Sequence, residues 1–151
     1  MNYSKANLLD LFALEQLEKD CFQAEAFGRR LIKNLLINTK SAVFKATEPT
    51  GKIIGNIIGT TKKENSSSVG RIFSLCVLAG HRKSGVATRL VQLLEEGFCL
   101  RDIRKIRLEV STLNNVARTF YERLGYQMTS DILPRFYHDG TDAMVMRKYL
   151  S

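Results

Sequence analysis

The chain has 151 residues, of which 44% are hydrophobic and 25% charged; this fits one domain that buries its own core and excludes a disordered or low-complexity chain. No apolar run is long enough to cross a bilayer, and the N-terminus, Met1-Asn-Tyr-Ser-Lys5, lacks the charged-then-apolar layout of a leader, so a cytoplasmic protein with no membrane partner is expected. The net charge of +8 favours anionic partners such as nucleic acid, a ribosome or a polyanionic cofactor without choosing among them, because the basic residues form no long run.

In chain order, residues 1–6 suit a short strand. Asn7 can cap a helix, with Asp10 three residues on, over Leu8, Leu11, Phe12, Leu14 and Leu17. A second helix is expected over residues 26–37. There Phe27, Leu31 and Leu35 repeat every fourth residue, Ile32 and Leu36 widen the stripe, and Arg29, Arg30 and Lys33 fall on the polar side. Residues 41–48 and 52–59 read as a hairpin around Pro49-Thr-Gly51, and the polar residues 62–68 as an exposed loop.

Residues 69–78 are a mostly apolar run that suits a strand buried on both faces. Behind it Gly80 and Gly85 bracket His81, Arg82 and Lys83, and Val86, Leu90, Leu93, Leu94 and Phe98 recur at helical spacing. A strand, a basic glycine loop and a helix present unpaired N–H groups where the helix dipole favours an anion, typically a phosphate. The same arrangement also serves structural ends in many α/β proteins. Neither Gly-x-x-x-x-Gly-Lys-Ser/Thr nor Gly-x-Gly-x-x-Gly occurs, which excludes two common nucleotide motifs.

Residues 105–111 put Ile106, Leu108 and Val110 on one strand face and Arg107, Glu109 and Ser111 on the other. Asn114 or Asn115 then caps a helix carrying Val116, Ala117, Phe120, Tyr121 and Leu124, and Gly125 is placed to end it. Residues 126–132 and 143–149 are the last strands, on either side of a loop, 134–142, that holds Phe136, Tyr137 and His138. The order β-α-α-β-β-β-α-β-α-β-β describes an α/β fold in a single domain, a mixed sheet with helices on both faces. Cys21, Cys76 and Cys99 are odd in number and far apart, and His81 and His138 are remote from each other, so no disulfide and no metal are expected.

Three segments resemble the GNAT acetyltransferase superfamily. Arg82-x-x-Gly85-x-Ala87, after a strand and before a helix, is similar to its acetyl-coenzyme A pyrophosphate loop. Leu108-Glu-Val110, Asn114 and Phe120-Tyr-Glu-Arg-Leu-Gly-Tyr126 are similar to its second half. Residues 136–146 resemble the Tyr-Tyr…Asp-Gly…Asp-Ala…Met ending of the RimI group, the ribosomal-protein alanine N-acetyltransferases, and of their protein N-terminal acetyltransferase relatives. The resemblance implies the GNAT fold, a mixed and mostly antiparallel sheet flanked by helices and splayed at the acetyl-CoA site. It also implies transfer of acetyl from acetyl-CoA, without a metal, to a primary amine by direct attack in a ternary complex.

Acyl transfer to an amine needs a proton acceptor for the ammonium, a polarised carbonyl and a proton donor for the leaving thiolate. By the resemblance, Glu109 matches the general base and Tyr121 the general acid. Backbone N–H groups around Leu75, Cys76 and Val77 polarise the carbonyl. Arg82, Lys83, Ser84, Gly85, Val86, Ala87 and Thr88 hold the pyrophosphate, Asn114 meets the pantetheine arm, and Tyr137 faces the substrate. Without the resemblance, Glu109 reads as a strand-face carboxylate paired with Arg107 or a basic residue on a neighbouring strand, and Tyr121 as a core aromatic. Cys76 is expected to be buried and not to act as a nucleophile.

The sequence departs from the pattern in three places: Ala87 stands where glycine is common, the Pro-Trp element after the first helix is replaced by Cys21-Phe-Gln-Ala-Glu-Ala-Phe-Gly-Arg-Arg30, and Phe136 replaces the first terminal tyrosine. The implied partner is a protein or peptide N-terminus, ribosomal proteins included, met by a monomer or weak dimer with no nucleic acid required. Two other readings stand beside it. One is acetylation of a small amine such as a polyamine, amino acid or aminoglycoside, a cationic acceptor that calls for an acidic pocket where residues 20–47 carry many basic ones. The other is a non-catalytic coenzyme A-binding or RNA-binding module.

Overall fold

The computed structural model describes residues 1–151, the side chain of Ala24 excepted. Seven strands form one sheet: β1 (Asn2–Lys5), β2 (Ala42–Thr47), β3 (Ile53–Glu64), β4 (Ser67–Val77), β5 (Lys105–Ser111), β6 (Gln127–Leu133) and β7 (Ala143–Tyr149), in spatial order β1-β2-β3-β4-β5-β7-β6. Four helices, α1 (Leu11–Phe22), α2 (Arg29–Ile37), α3 (Val86–Leu100) and α4 (Asn115–Arg123), cover it. All neighbours are antiparallel except β4 and β5, which run parallel. That pair meets only at Gly70↔Ile106 and Arg71↔Arg107, although β4 continues to Val77 and β5 to Ser111. The sheet therefore splits down its middle, as the GNAT resemblance implies.

Local chemistry explains most of the boundaries. Asn7 accepts from the Leu9 N–H while the Asp10 carboxylate accepts from the Asn7 N–H, a reciprocal cap that starts a 3₁₀ turn leading into α1. The expected loop at 62–68 is instead the end of a long hairpin. Pairing runs on through Glu64↔Ser67, and only Asn65 and Ser66, both at positive φ (48° and 74°), make the turn. Its polar strand ends project past the core, so alternation there carries no apolar signal.

The second helix begins at Arg29, after Gly28, rather than at residue 26, and this phase turns Ile32 and Leu35 inward and leaves Leu31 exposed. In α4 Val116 is exposed, contrary to the expected stripe, and Tyr121 is buried. Gly125, at φ 95°, ends the helix as expected. No helix among the described residues is long and apolar enough to cross a membrane.

One apolar cluster lies between the sheet and α3 with α4, built on Leu90, Leu94, Phe98, Ile106 and Leu108; a second lies under α1 and α2, built on Leu14, Leu17, Ile32 and Ile58. Close approach of α3 depends on two glycines of the β3–β4 hairpin. A Cβ on Gly59 would stand 2.9 Å from the Phe98 ring, and one on Gly70 2.7–3.0 Å from it. Phe98 is fully buried and has no room to give. Gly70→Ala is expected to lower unfolding free energy by about 1–3 kcal/mol through overpacking. Gly80→Ala, where a Cβ meets nothing within 4 Å, is expected to stay within about 0.5 kcal/mol of wild type, both read by urea denaturation.

Candidate active site

The segment after β4 is braced from three sides. His81 Nε2 lies 3.0 Å from Glu48 Oε2 at the β2–β3 turn, Arg82 Nε donates to the Val77 carbonyl at 2.9 Å, and the Ser84 hydroxyl donates to the His81 carbonyl. Lys83 and Gly85 sit at φ 61° and 86°, which turns the backbone back on itself ahead of α3. Helix α3 starts at Gly85 without a side-chain cap, so the N–H groups of Val86, Ala87 and Thr88 lack intrahelical acceptors at the positive end of the dipole. A Cβ at Gly85 would meet nothing within 4 Å, so the cradle is open above the loop.

These features fit a pyrophosphate. Arg82 differs from expectation: its N–H donates to the Ala79 carbonyl and its Nε to Val77, so it braces the loop, and the open N–H groups begin after it.

Where β4 and β5 part, Arg71 and Glu109 face each other across the gap. Arg71 Nε donates to Glu109 Oε2 at 3.1 Å and Nη2 lies 2.9 Å from Oε1, a two-pronged pair whose carboxylate side chain is only 9% exposed. The pairing foreseen for Glu109 is real, but its partner is Arg71 rather than Arg107, whose Nη1 lies 3.8 Å from Glu64. A carboxylate has about four lone-pair positions, so two remain for an amine or a water. Arg71 also lies over the Phe73 ring at 5.1 Å, and Phe73 stacks on Phe27, centroids 4.6 Å apart.

Tyr137 closes the group. Burial, then the carboxylates of Glu109 and Glu25, push its phenol above the usual tyrosine range. Burial, then Tyr137, do the same to Tyr121, whose ring makes edge contacts with Phe120 and Tyr126. Tyr137 is thus within electrostatic reach of Glu109 on one hand and of Tyr121 on the other. Asn114 caps α4, its Oδ1 accepting from the Ala117 N–H at 3.0 Å, which leaves its amide nitrogen as the group able to meet a ligand.

The β4 residues Leu75, Cys76 and Val77 lie along the edge that β5 has left, so alternate backbone groups there face the cleft rather than a strand. Cys76 is buried, and its side chain turns to the α1 side: its S–H lies 2.7 Å from Asn56 Oδ1, and Ser74 Oγ donates to Glu18 at 2.8 Å. A hydrogen bond with Cys21, burial and the neighbouring Glu18 all push the Cys76 thiol up. A thiol so placed is a poor nucleophile, and its burial is as expected from the sequence. Burial likewise pushes Glu18 up.

Arg71 and Glu25 did not stand out in the sequence. Glu25 follows α1 and accepts from the His138 N–H at 2.6 Å, which ties the α1–α2 connection to the loop before β7 across 113 residues. Arg29 pairs with Glu15 and lies over Phe12, Arg30 and Lys33 are exposed on α2, and the groups acting on Tyr137 are two carboxylates and one guanidinium. No group of three metal-ligating side chains occurs among the described residues.

Residues 9–126 match the model of the acetyltransferase (GNAT) family, and the chain belongs to that family. It is an acetyl-CoA-dependent N-acetyltransferase. It is 34% identical, over 92% of its length and 85% of the relative's, to an uncharacterized N-acetyltransferase of Methanocaldococcus jannaschii. It is 29% identical, over 97% of its length and 76% of the relative's, to the N-terminal acetyltransferase A complex catalytic subunit NAA10 of Arabidopsis thaliana. Among solved structures it superposes on a chain of the NatB acetyltransferase complex bound to CoA and MES with a TM-score of 0.87, 27% identity and complete coverage of both chains. The ribosomal-protein-S18-alanine N-acetyltransferase from Escherichia coli shares the fold, with a TM-score of 0.83 at 22% identity over 99% of this chain and 94% of that one.

The Arg71–Glu109 pair makes a measurable demand. Removing one partner leaves a largely buried charge alone, whereas removing both is milder. Arg71→Ala and Glu109→Ala are each expected to destabilise more than their double mutant implies, with a coupling of about 1–3 kcal/mol in a urea double-mutant cycle. Strict additivity would show that the pair is not held in solution.

Proposed function

We propose that this N-acetyltransferase acts on the α-amino group at the N-terminus of a protein or peptide, as one domain, monomeric or weakly dimeric, in the cytoplasm. The observation that carries this reading is the cluster at the parted strands. A largely buried carboxylate that acts on Tyr137, a second tyrosine, Tyr121, on which Tyr137 acts in turn, and a stacked aromatic pair beside Arg71 make up the cluster. The acceptor enters between the α1–α2 connection and the loop before β7, which Glu25 and His138 tie together. Relatives named as N-terminal acetyltransferase subunits support the choice of acceptor, and three free thiols are in keeping with a reducing compartment.

In this reading Glu109 takes the proton of the incoming ammonium, directly or through one water. The freed amine attacks the thioester carbonyl, whose oxygen the N–H groups along the open edge of β4 stabilise as charge develops. The bond to sulfur breaks, Tyr121 gives its proton to the departing thiolate, and the extra proton on the new amide nitrogen passes through water to restore the phenol, while the proton held by Glu109 leaves to solvent. A phenol pushed up by burial stays protonated at neutral pH, so the proton is present when the thiolate forms. Lys83 and the first turn of α3 hold the pyrophosphate of acetyl-CoA, and Asn114 orients the arm.

Thiol release from acetyl-CoA with peptides of varied N-termini, polyamines and aminoglycosides tests the proposal. Turnover is expected on N-terminal peptides, with the acetyl group on the α-amine by mass spectrometry. Glu109→Gln is expected to cost about 100-fold or more and Tyr121→Phe about 10–100-fold, with acetyl-CoA binding retained. Turnover on small amines alone would replace the acceptor assignment, and full activity in Glu109→Gln would remove the base.

A further inference from the structure

The helical cover of the sheet is incomplete on one face. On the face that carries Arg71 and Glu109, α1 packs against β3 and β4 and α2 against β2, so the cover ends at β4. The same face of β5 and β7 carries the residues that alternate with the buried Ile106, Leu108 and Val110. Register places Arg107 opposite Arg147 and Lys105 opposite Tyr149, and directly opposed residues share a face.

The result is a bare strand surface with cations and an aromatic ring interleaved. Tyr149 is 62% exposed, with Lys105 Nζ 6.0 Å and Arg147 Cζ 5.5 Å from its ring centroid. This interleaving is invisible in the chain, where position 105 is far from 147 and 149. The surface runs on into a groove of about 750 Å³ between the β3–β4 turn and the end of α3, where Arg101 and Arg104 add charge. Glu64, 3.4 Å from Lys105 and 3.8 Å from Arg107, and Asp102, 3.3 Å from Arg104, temper the field, but the cations outnumber them.

We propose that this uncovered face of β5 and β7, with the adjoining groove, binds single-stranded or looped RNA. Lys105, Arg107 and Arg147 meet phosphates, and Tyr149 offers its ring to one base. Charge complementarity selects a polyanion, and an exposed aromatic among arginines on an open sheet favours RNA over an acidic polypeptide, because a base can stack where a carboxylate cannot. Arg107 lies two residues from Glu109 on the same strand face. Lys105 and Tyr149 lie at the other end of these strands from the loop before β7, and the binding of RNA here does not rest on the function proposed above.

Fluorescence anisotropy of the full chain with a labelled 20-nucleotide single-stranded RNA, between about 50 and 200 mM salt, tests the proposal. Affinity is expected to fall steeply with salt, with a log–log slope of about −2 to −3 for three to four phosphate contacts. Arg147→Glu is expected to weaken binding at least tenfold and flatten the slope, and Tyr149→Ala to weaken it about 5- to 50-fold. Thermal melting verifies that each variant is folded, and acetylation of a short peptide is expected to be unchanged in both. Arg30→Glu, the same charge change on exposed α2, is the control and is expected to cost less than threefold.

Equal losses in Arg147→Glu and Arg30→Glu would reduce the effect to net charge and overturn the site. So would absence of binding at 50 mM salt, or displacement of the RNA by polyglutamate or anionic vesicles at matched charge. Loss of peptide acetylation with RNA binding intact would instead strike the proposed function and leave this surface standing.

Discussion

The parting of β4 from β5 after a two-residue parallel contact is the constraint on which the rest of the structure depends. A parallel pair normally satisfies backbone groups along its whole length, and here the ladder stops at Arg71 and Arg107 while both strands continue. Buried backbone groups without partners are costly, so such an opening persists only where water or a ligand can satisfy them. The cost is carried by the packing on either side: β3 holds β4 along its full length, β7 holds β5, and α3 with Phe98 locks onto the hairpin glycines just before the split. The cleft is thus a gap between two well-supported half-sheets rather than a flexible opening.

Electrostatics then divides the cleft into working regions. At the helix end, the braced loop spends Arg82 and His81 on its own framework and leaves the first N–H groups of α3 without intrahelical partners. At the split, the guanidinium of Arg71 fixes a carboxylate that would otherwise be costly to bury, and leaves it lone pairs with which to accept a proton. The tyrosines are raised by burial and so keep their protons at neutral pH. On the α1 side of β4, the Glu18, Ser74, Cys76 and Asn56 cluster turns the cysteine away from chemistry. The buried tyrosines, the paired carboxylate and the open helix start therefore occupy separate environments within one sheet.

Much of this was legible in the residues. The element order, the cap at Asn7, the strand at 105–111 and the stop at Gly125 follow from local periodicity and turn chemistry, which act over a few residues. What escaped reading depends on register. Nothing local says that Arg71 faces Glu109, because their meeting requires a parallel pairing that lasts two residues. Glu25 reaches His138 only after the whole sheet has formed, and Val116 looks core-forming until the orientation of α4 is known. The 62–68 segment was missed for a different reason: a strand pair that leaves the core has no apolar alternation, and only its Asn65-Ser66 turn betrays it. The distribution of the +8 charge is the largest such gap, since net charge is a sum and a surface is an arrangement.

The most direct test of the central claim is a crystal structure of the protein bound to a bisubstrate conjugate in which coenzyme A is joined through an acetyl bridge to the α-nitrogen of a short peptide. The pyrophosphate is expected against the backbone N–H groups of residues 83–88, with the bridging nitrogen beside Glu109 in the gap between β4 and β5 and the sulfur near Tyr121. A pyrophosphate bound elsewhere, or a bridge lying outside that gap with Arg71 and Glu109 untouched, would contradict it.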